Sequence, residues 1–272
     1  MAKVLLVGCG DLGTEVAVRL HHAGHEVIGV RKSARALPLG MRTLQADVTV
    51  PDSLAPIGAE IIVYCVAATA QTDENYAQHY VEGLRNVLQS QAGPQLKHVF
   101  FVSSTRVYGQ QTDTLVDESV PAIAADFGGE RLLEAELLLA DLPCSSTVLR
   151  LSGIYGPGRL YLVNLAKDPA RWPVENQWTN RIHRDDAAAF IAYLVAQVSA
   201  NQSVYPLYIV TDDMPVAQYE VLTWLATQMG VLVPGRPMPP VTQGKRLSNQ
   251  RLRSSGFELR YPSYQHGYAT LI

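Results

Sequence analysis

The stretch that decides the fold is KVLLVGCGDLGTEVAVRL, residues 3–20. An apolar run of strand length, Lys3–Val7, leads through GCGDLG into the amphipathic segment Leu12–Ala23. A GxGxxG sequence between a strand and a helix is typical of a dinucleotide-binding βαβ unit. In such a unit the first glycine permits a tight turn, the second lets the backbone approach a pyrophosphate, and the third allows close helix packing. The residues predicted to bind a dinucleotide here are Gly8, Gly10, Asp11, Leu12 and Gly13.

The alternation of apolar and amphipathic segments continues beyond this unit. Near-continuous apolar runs are typical of parallel strands covered on both faces, and they predict an α/β fold, a Rossmann-type doubly wound parallel sheet. After Gly153 the chain becomes rich in Pro, Gly, Trp and Asn. We therefore predict a dinucleotide-binding Rossmann domain over residues 1–153 and a smaller C-terminal substrate lobe over 154–272, part of which returns to the main sheet. The predicted strands are Lys3–Val7, Glu26–Val30, Thr43–Gln45, Glu60–Val66, His98–Ser103, Ser146–Leu151 and Pro206–Val210. The predicted helices are Leu12–Ala23, Glu74–Gln91, Phe127–Leu139, Asp185–Val198 and Val216–Met229, with a loop over Pro234–Gly244.

Composition narrows the class of partner. The 272 residues are 47% hydrophobic with a net charge of −3, which indicates a globular protein without a basic surface for nucleic acid or anionic membrane. Neither a bilayer-spanning run nor a signal peptide is recognisable. Three widely spaced cysteines predict no disulfide framework and no metal site. We expect a cytoplasmic protein with a small-molecule substrate, and we leave a homodimer open.

The residues after the second predicted strand indicate which dinucleotide is preferred. An acidic residue there would bond the ribose 2′-hydroxyl of NAD. This chain has Arg31 followed by Lys32, and a cationic fork suits the 2′-phosphate of NADP. The alternative is that these are solvated surface charges. We predict that NADP is favoured over NAD.

Several motifs in order along the chain resemble the extended short-chain dehydrogenases/reductases, the family of NAD-dependent epimerases and dehydratases. They are GHEV at 24–27, ADV at 46–48, SSTRVYG at 103–109, LRLSGIYGPG at 149–158, IHRDDA at 182–187, and the C-terminal stretch from Ser248 to Gly267. The resemblance implies that Asp47 faces the adenine ring and that Ser104 takes the place of the catalytic serine or threonine. It also implies cofactor contacts from Val66, Ala67, Ala68 and Ser103.

The chain departs from the family at its catalytic pair. The tyrosine position is Phe127 and the lysine position is Arg131. Phenylalanine has no proton to exchange, whereas arginine stays charged and can still bond a ribose. Gly153 stands where sugar-nucleotide enzymes of the family often have asparagine. Other groups considered for proton transfer are Tyr155, Tyr108, Tyr161 and His183, the last with a pKa raised by the neighbouring Asp185 and Asp186 or with a role in anchoring the helix start.

Two functional hypotheses follow from these residues. The first is an NAD(P)-dependent, epimerase/dehydratase-like oxidoreductase that acts on a small polar or sugar-nucleotide-like substrate. The alternative is a non-catalytic NADP(H)-binding sensor or regulatory protein, which the residues Phe127 and Arg131 favour.

Overall fold

The computed structural model describes residues 1–233, 235 and 237–272. The elements of the first half are β1 (Lys3–Val7), α1 (Asp11–His22), β2 (Glu26–Arg31), β3 (Arg42–Gln45), β4 (Ile61–Tyr64), α2 (Asp73–Tyr76), α3 (Gly83–Ser90), β5 (His98–Ser104), β6 (Leu115–Val116), α4 (Phe127–Leu137) and β7 (Ser145–Leu151). Those of the second half are β8 (Gly153–Tyr155), α5 (Tyr161–Ala166), β9 (Asn176–Thr179), β10 (Arg181–His183), α6 (Arg184–Ser199), β11 (Leu207–Val210), β12 (Val216–Ala217), α7 (Gln218–Gln228), β13 (Val241–Gln243), β14 (Arg246–Leu247), α8 (Gln250–Ser254) and α9 (Tyr264–Tyr268).

The central feature is a seven-stranded parallel sheet with the order β11-β7-β5-β4-β1-β2-β3. Strand β1 pairs on one side with β2, Lys3 opposite Glu26, and on the other with β4, Val4 opposite Ile61. The strand order therefore reverses between β1 and β4, which makes this the switch point of a doubly wound sheet. The prediction of a Rossmann-type fold is confirmed.

Burial explains why the strand sequences read as continuous apolar runs. Every residue from Val4 to Val7 is at most 2% exposed, and β4 is equally buried. Both faces of these strands are covered, so alternation of polar and apolar residues would place polar groups in the core. The carboxyl end of β1, where Gly8 begins the glycine loop, is thus held by the best-buried part of the sheet.

Some element bounds differ from the predicted ones. The predicted helix Glu74–Gln91 begins one residue earlier, because the Thr72 hydroxyl accepts a hydrogen bond from the Asn75 amide, and it contains the π-helical turn Ala77–Glu82. Helix α7 begins two residues later than predicted because Val216 and Ala217 pair with β9. The predicted loop Pro234–Gly244 was wrong in part, since it contains β13. Pro234 itself lies outside the described residues.

The chain divides into two compact units. The first consists of Met1–Gly109, Ala122–Arg150 and Ala188–Tyr208, and the second of Gln110–Pro121, Leu151–Ala187 and Ile209–Ile272. The second unit has its own core around α7, in which the rings of Trp172 and Tyr219 meet edge to face at 5.6 Å. The domain boundary after Gly153 stays a prediction. Within the described ranges, no helix is long and apolar enough to span a bilayer.

Candidate functional site

The glycine loop combines two glycines that packing requires with a third that faces open space. Gly8 has a φ of +94°, and a Cβ atom there would lie 2.5 Å from the Cys65 carbonyl oxygen. A Cβ on Gly13 would lie 2.2 Å from the Gly8 oxygen, whereas a Cβ on Gly10 would meet no described atom within 4 Å. Gly8 and Gly13 are therefore needed for packing, and Gly10 leaves open space beside the α1 N-terminus, whose dipole attracts phosphate.

A cavity of about 460 Å³ lies beside this loop, at the carboxyl ends of β1, β2, β3 and β4. Its volume is in the range of small-molecule sites, and its position is where doubly wound sheets bind ligands. It is lined by Gly8, Cys9, Gly10, Val30, Arg31, Lys32, Ser33, Ala46, Asp47, Val48, Cys65, Val66, Ala67, Thr69 and His79.

Seven of the predicted cofactor residues meet at this cavity, namely Gly8, Gly10, Arg31, Lys32, Asp47, Val66 and Ala67. The other predicted cofactor residues, Asp11, Leu12, Gly13, Ala68, Ser103 and Arg131, are not part of its lining. Ser33, Thr69 and His79 line it without having been predicted. Ser33 follows β2, Thr69 follows β4, and His79 lies on the π-helical turn. No sequence motif marks these residues, so they could be found only from the topology of the sheet.

The charged residues of the cavity are not equivalent. The Lys32 ammonium lies 2.7 Å from Oδ2 of Asp47, and its hydrogen bond lowers the pKa of the Asp47 carboxyl to about 2. The buried Nε of Arg31 has no hydrogen-bond partner among the described residues. The sequence predicted two cations that are both available to a ligand. In the structure Lys32 forms an ion pair with Asp47, and among the described residues Arg31 is not paired with a carboxylate.

Cys9 is a packing residue of the glycine loop. Its side chain is buried, and burial raises its pKa to about 11. Because the thiolate is the reactive form of cysteine, burial of Cys9 disfavours a reactive role and is consistent with packing.

Ser103, near the end of β5, and Tyr108, which follows the strand, are held by a buried ion pair. The Ser103 hydroxyl donates to Glu136 at 2.6 Å, and Arg150 binds the same carboxylate through two nitrogens at 2.6 and 3.1 Å. Arg150 also donates to the fully buried Tyr108 hydroxyl at 2.7 Å. Tyr108 and Ser103 are therefore tied into a structural network. Glu136 and Arg150 are 14 residues apart on different elements, and no sequence motif marked the pair.

The Ser104 side chain makes a local contact. Its Oγ accepts a hydrogen bond from the Arg106 amide at 3.2 Å and so begins a 3₁₀ turn. This is the backbone-capping role common for serine. This contact does not test the catalytic role implied by the resemblance, which stays a prediction.

Phe127, at the start of α4, is packed between an aromatic ring and a cation. The Tyr76 ring meets it edge to face at 5.4 Å, and the Arg106 guanidinium lies 5.2 Å from its centroid. Arg106 also donates to the Tyr76 hydroxyl at 2.8 Å and to Asp126, the N-cap of α4. Position 127 thus provides an apolar contact, and its correspondence to the family's tyrosine position stays a prediction.

Arg131 is engaged by two carboxylates. Its Nε and Nη2 bind Asp73 at 2.7 and 2.9 Å, and its Nη1 binds Glu134 at 2.7 Å. The hydrogen bond with Asp73 raises the pKa of this guanidinium further, so it cannot supply a proton. A guanidinium has five N–H groups, and the predicted bond to a ribose would have to use those left over.

Comparison with known proteins identifies the family to which this chain belongs. The family model described as the NAD dependent epimerase/dehydratase family matches residues 4–207. The chain belongs to this family. A candidate NAD-dependent epimerase/dehydratase from Methylobacillus flagellatus is 54% identical over 99% of this chain and 97% of its own, with a TM-score of 0.91.

More distant members of the family share the fold. UDP-glucose 4-epimerase from Thermus thermophilus, solved with NAD, is 19% identical over 97% of this chain and 96% of its own, with a TM-score of 0.77. The Bordetella bronchiseptica enzyme WbmG, solved with NAD and UDP, is 17% identical over 98% and 93%, also at 0.77. No curated protein matches the chain.

The second unit of this epimerase/dehydratase family member contains the remaining proton-transfer candidates. Tyr155 is 4% exposed and stacks on Tyr268 at 4.3 Å, and burial raises its pKa. Tyr161 is 74% exposed. The expectation that Asp185 and Asp186 raise the pKa of His183 was wrong, because burial outweighs Asp185 and lowers it.

His183 anchors the start of α6, as the sequence also suggested. Its Nδ1 accepts a hydrogen bond from the Asp185 amide at 3.2 Å. Asp186 accepts from the amides of Arg260 and Tyr261 at 3.0 and 2.8 Å. The Asp186 carboxylate thus binds backbone within the second unit, whereas the Asp185 carboxylate accepts from the Arg184 guanidinium.

Asp212 is an acid that no motif singled out. It is 1% exposed, and burial raises its pKa to about 7 although the charge of Arg181 opposes the shift. Oδ2 of Asp212 and Nη1 of Arg181 are both buried without a hydrogen-bond partner in the part of the chain that the structure describes. Its place, just after β11, could not be separated from an ordinary loop acid by sequence.

Proposed function

We propose that this protein is an NADP(H)-dependent, epimerase/dehydratase-like oxidoreductase. The observation that carries the proposal is the cavity at the sheet's switch point, which brings the glycine loop and Arg31 together. When bound, the nicotinamide supplies the hydride chemistry. The chain supplies the phosphate-binding backbone at Gly10 and a guanidinium for the 2′-phosphate. We propose NADP because of Arg31, although the distant relatives named above were solved with NAD.

The catalytic residues that we propose are Ser104, Tyr155, and Phe127 with Arg131 at the family's tyrosine and lysine positions. Ser104 would orient the substrate oxygen through its hydroxyl hydrogen, since its oxygen already accepts a hydrogen bond from the Arg106 amide. Phe127 gives the substrate an apolar surface and no proton. Arg131, held by Asp73, would offer its remaining N–H groups to the ribose. Proton exchange with the substrate then falls to another group or to water, which predicts slow turnover.

A small polar or sugar-nucleotide-like molecule is the proposed substrate. The distant relatives named above support it through UDP and UDP-glucose, whereas Gly153 lacks the amide that such enzymes use. Residues 154–272 are proposed as the lobe that binds this substrate. A cytoplasmic location and a homodimer complete the proposal, the first on the grounds of cysteine usage.

A non-catalytic NADP(H) sensor is the second candidate. The observation that favours it is the engagement of Arg131 by Asp73 and Glu134, beside a phenyl ring at position 127. Hydride transfer separates the two functions. We would follow NADPH absorbance with purified protein against UDP-sugars and small ketones. Turnover that needs Ser104 supports the enzyme, and tight NADPH binding with no turnover supports the sensor.

A further inference from the structure

Two opposite charges meet inside the candidate cofactor cavity. Lys32 follows β2 and Asp47 follows β3, and the register of these parallel strands places Arg31 opposite Gln45. This brings the Lys32 ammonium to 2.7 Å from Oδ2 of Asp47, although the Lys32 side chain is 73% exposed. Both residues line the cavity beside Arg31.

Asp47 is the fixed member of this pair. Its Oδ1 accepts hydrogen bonds from the Thr49 amide at 3.0 Å and from the Thr49 hydroxyl at 2.8 Å, and its backbone amide donates to Ser53 at 3.0 Å. With its pKa lowered to about 2, the carboxyl is ionised at any pH at which the protein is handled. Lys32, on a flexible exposed stem, is the member that can move.

Arg31 differs from Lys32 in having no acidic partner among the residues that the structure describes. Its Nε is buried without a hydrogen-bond acceptor in the described ranges, and it lines the same cavity. A guanidinium binds phosphate through two parallel hydrogen bonds. Among the described residues that line it, the cavity therefore offers Arg31 as an available cation, Lys32 as a neutralised cation and Asp47 as a fixed anion.

We propose that Asp47 weakens the preference of this protein for NADP(H) over NAD(H). It retains Lys32 and repels a 2′-phosphate, so that Arg31 carries most of the selectivity for NADP(H) and Lys32 contributes only when released. The inference rests on the proposed function, because it requires the adenosine end of the cofactor in this cavity. The effect is moderate, since an exposed ion pair has a small free energy.

The test is a double-mutant cycle read as the ratio of two dissociation constants. NADPH and NADH are titrated by calorimetry into the wild type, Asp47→Asn, Lys32→Gln and the double variant. The ratio isolates the effect of the 2′-phosphate, since NADPH and NADH share all other contacts. Asparagine at position 47 keeps a side-chain oxygen that can accept from Thr49. We expect Asp47→Asn to shift the ratio toward NADPH by about 3- to 10-fold. Lys32→Gln should change it by less than about 2-fold alone and abolish most of the gain in the double variant.

Other outcomes overturn the inference. They are an unchanged ratio in Asp47→Asn, an equal loss of both cofactors, or the same Lys32→Gln effect in both backgrounds. If Asp47→Asn does not fold, Lys32→Gln is compared with Arg31→Gln, and equal effects overturn it. A wild type that binds neither cofactor contradicts the proposed function itself. A wild type without NADPH preference contradicts only the NADP assignment, and the cycle then still decides the role of Asp47.

Discussion

At the scale of single residues, two glycines of the same loop have different functions. Gly10 has φ −75° and ψ −154°, which other residues adopt readily, and open space at its Cβ position. Gly13 has no such space, because a Cβ there would lie 2.2 Å from a backbone oxygen. Substitution should therefore separate ligand binding from folding at these two positions.

We expect Gly10→Val to keep a cooperative thermal transition within a few degrees of the wild type and to bind NADPH at least about 10-fold more weakly, since its side chain fills the space for the pyrophosphate. Gly13→Ala, the matched control, should lower the melting temperature. Calorimetry and thermal melting measure the two effects. Wild-type NADPH affinity in Gly10→Val would show that the glycine loop does not contact the cofactor.

Asp212 makes stability depend on pH. Burial raises its pKa to about 7, with Asp213 and Asp186 adding to the shift and Arg181 opposing it. An acid whose folded pKa is raised stabilises the fold most below its unfolded pKa near 4, and this contribution is lost as pH rises toward 7.

Wild type should therefore lose roughly 1–3 kcal/mol of stability from this group between pH 5 and pH 8. Asp212→Asn should flatten that dependence, while Asp213→Asn, a neighbour paired with Arg253 at the surface, should keep most of it, because burial is the largest cause of the shift and Asp213 adds only part. Urea unfolding at the two pH values measures the difference. The same slope in Asp212→Asn and wild type would show that this carboxyl does not titrate as described.

At the scale of elements, α4 is fixed by its polar contacts before any ligand arrives. Asp126 caps its start, and Arg131 ties it to Asp73 on α2. By the resemblance noted in the sequence, positions 127 and 131 of this helix are those of the family's tyrosine and lysine. We propose that the sequence here keeps the position of the helix without the phenol.

Installing the missing pair, Phe127→Tyr with Arg131→Lys, should raise the hydride-transfer rate by about 10²–10⁴-fold if Ser104 is already in place. Phe127→Tyr alone, which keeps the pair with Asp73, is the matched control for any loss of helix anchoring. The assay is NADPH oxidation with the substrates named above. Fast wild-type turnover that survives Ser104→Ala would instead point to another residue, with Tyr155 and Tyr161 to be substituted next.

At the scale of the whole molecule, the Rossmann sheet was predictable because its strands are continuous apolar runs and its first loop needs glycine. The glycine loop lies within a few residues of sequence, so its geometry was readable too. The pairs Lys32–Asp47 and Arg131–Asp73 join residues 15 and 58 positions apart. They depend on strand order and helix packing, which single-residue patterns do not encode. The burial that raises the pKa of Asp212 likewise depends on tertiary packing, which single-residue patterns do not encode.

We propose that this protein binds NADP(H) through Arg31. The most direct test of this claim is calorimetric titration of NADPH and NADH into the wild type and into Arg31→Ala. We predict tighter binding of NADPH by the wild type, and a loss of about 1.5–3 kcal/mol for NADPH alone in the variant, the usual value of a charge-assisted hydrogen bond. Equal affinities of the wild type for the two cofactors would contradict the claim.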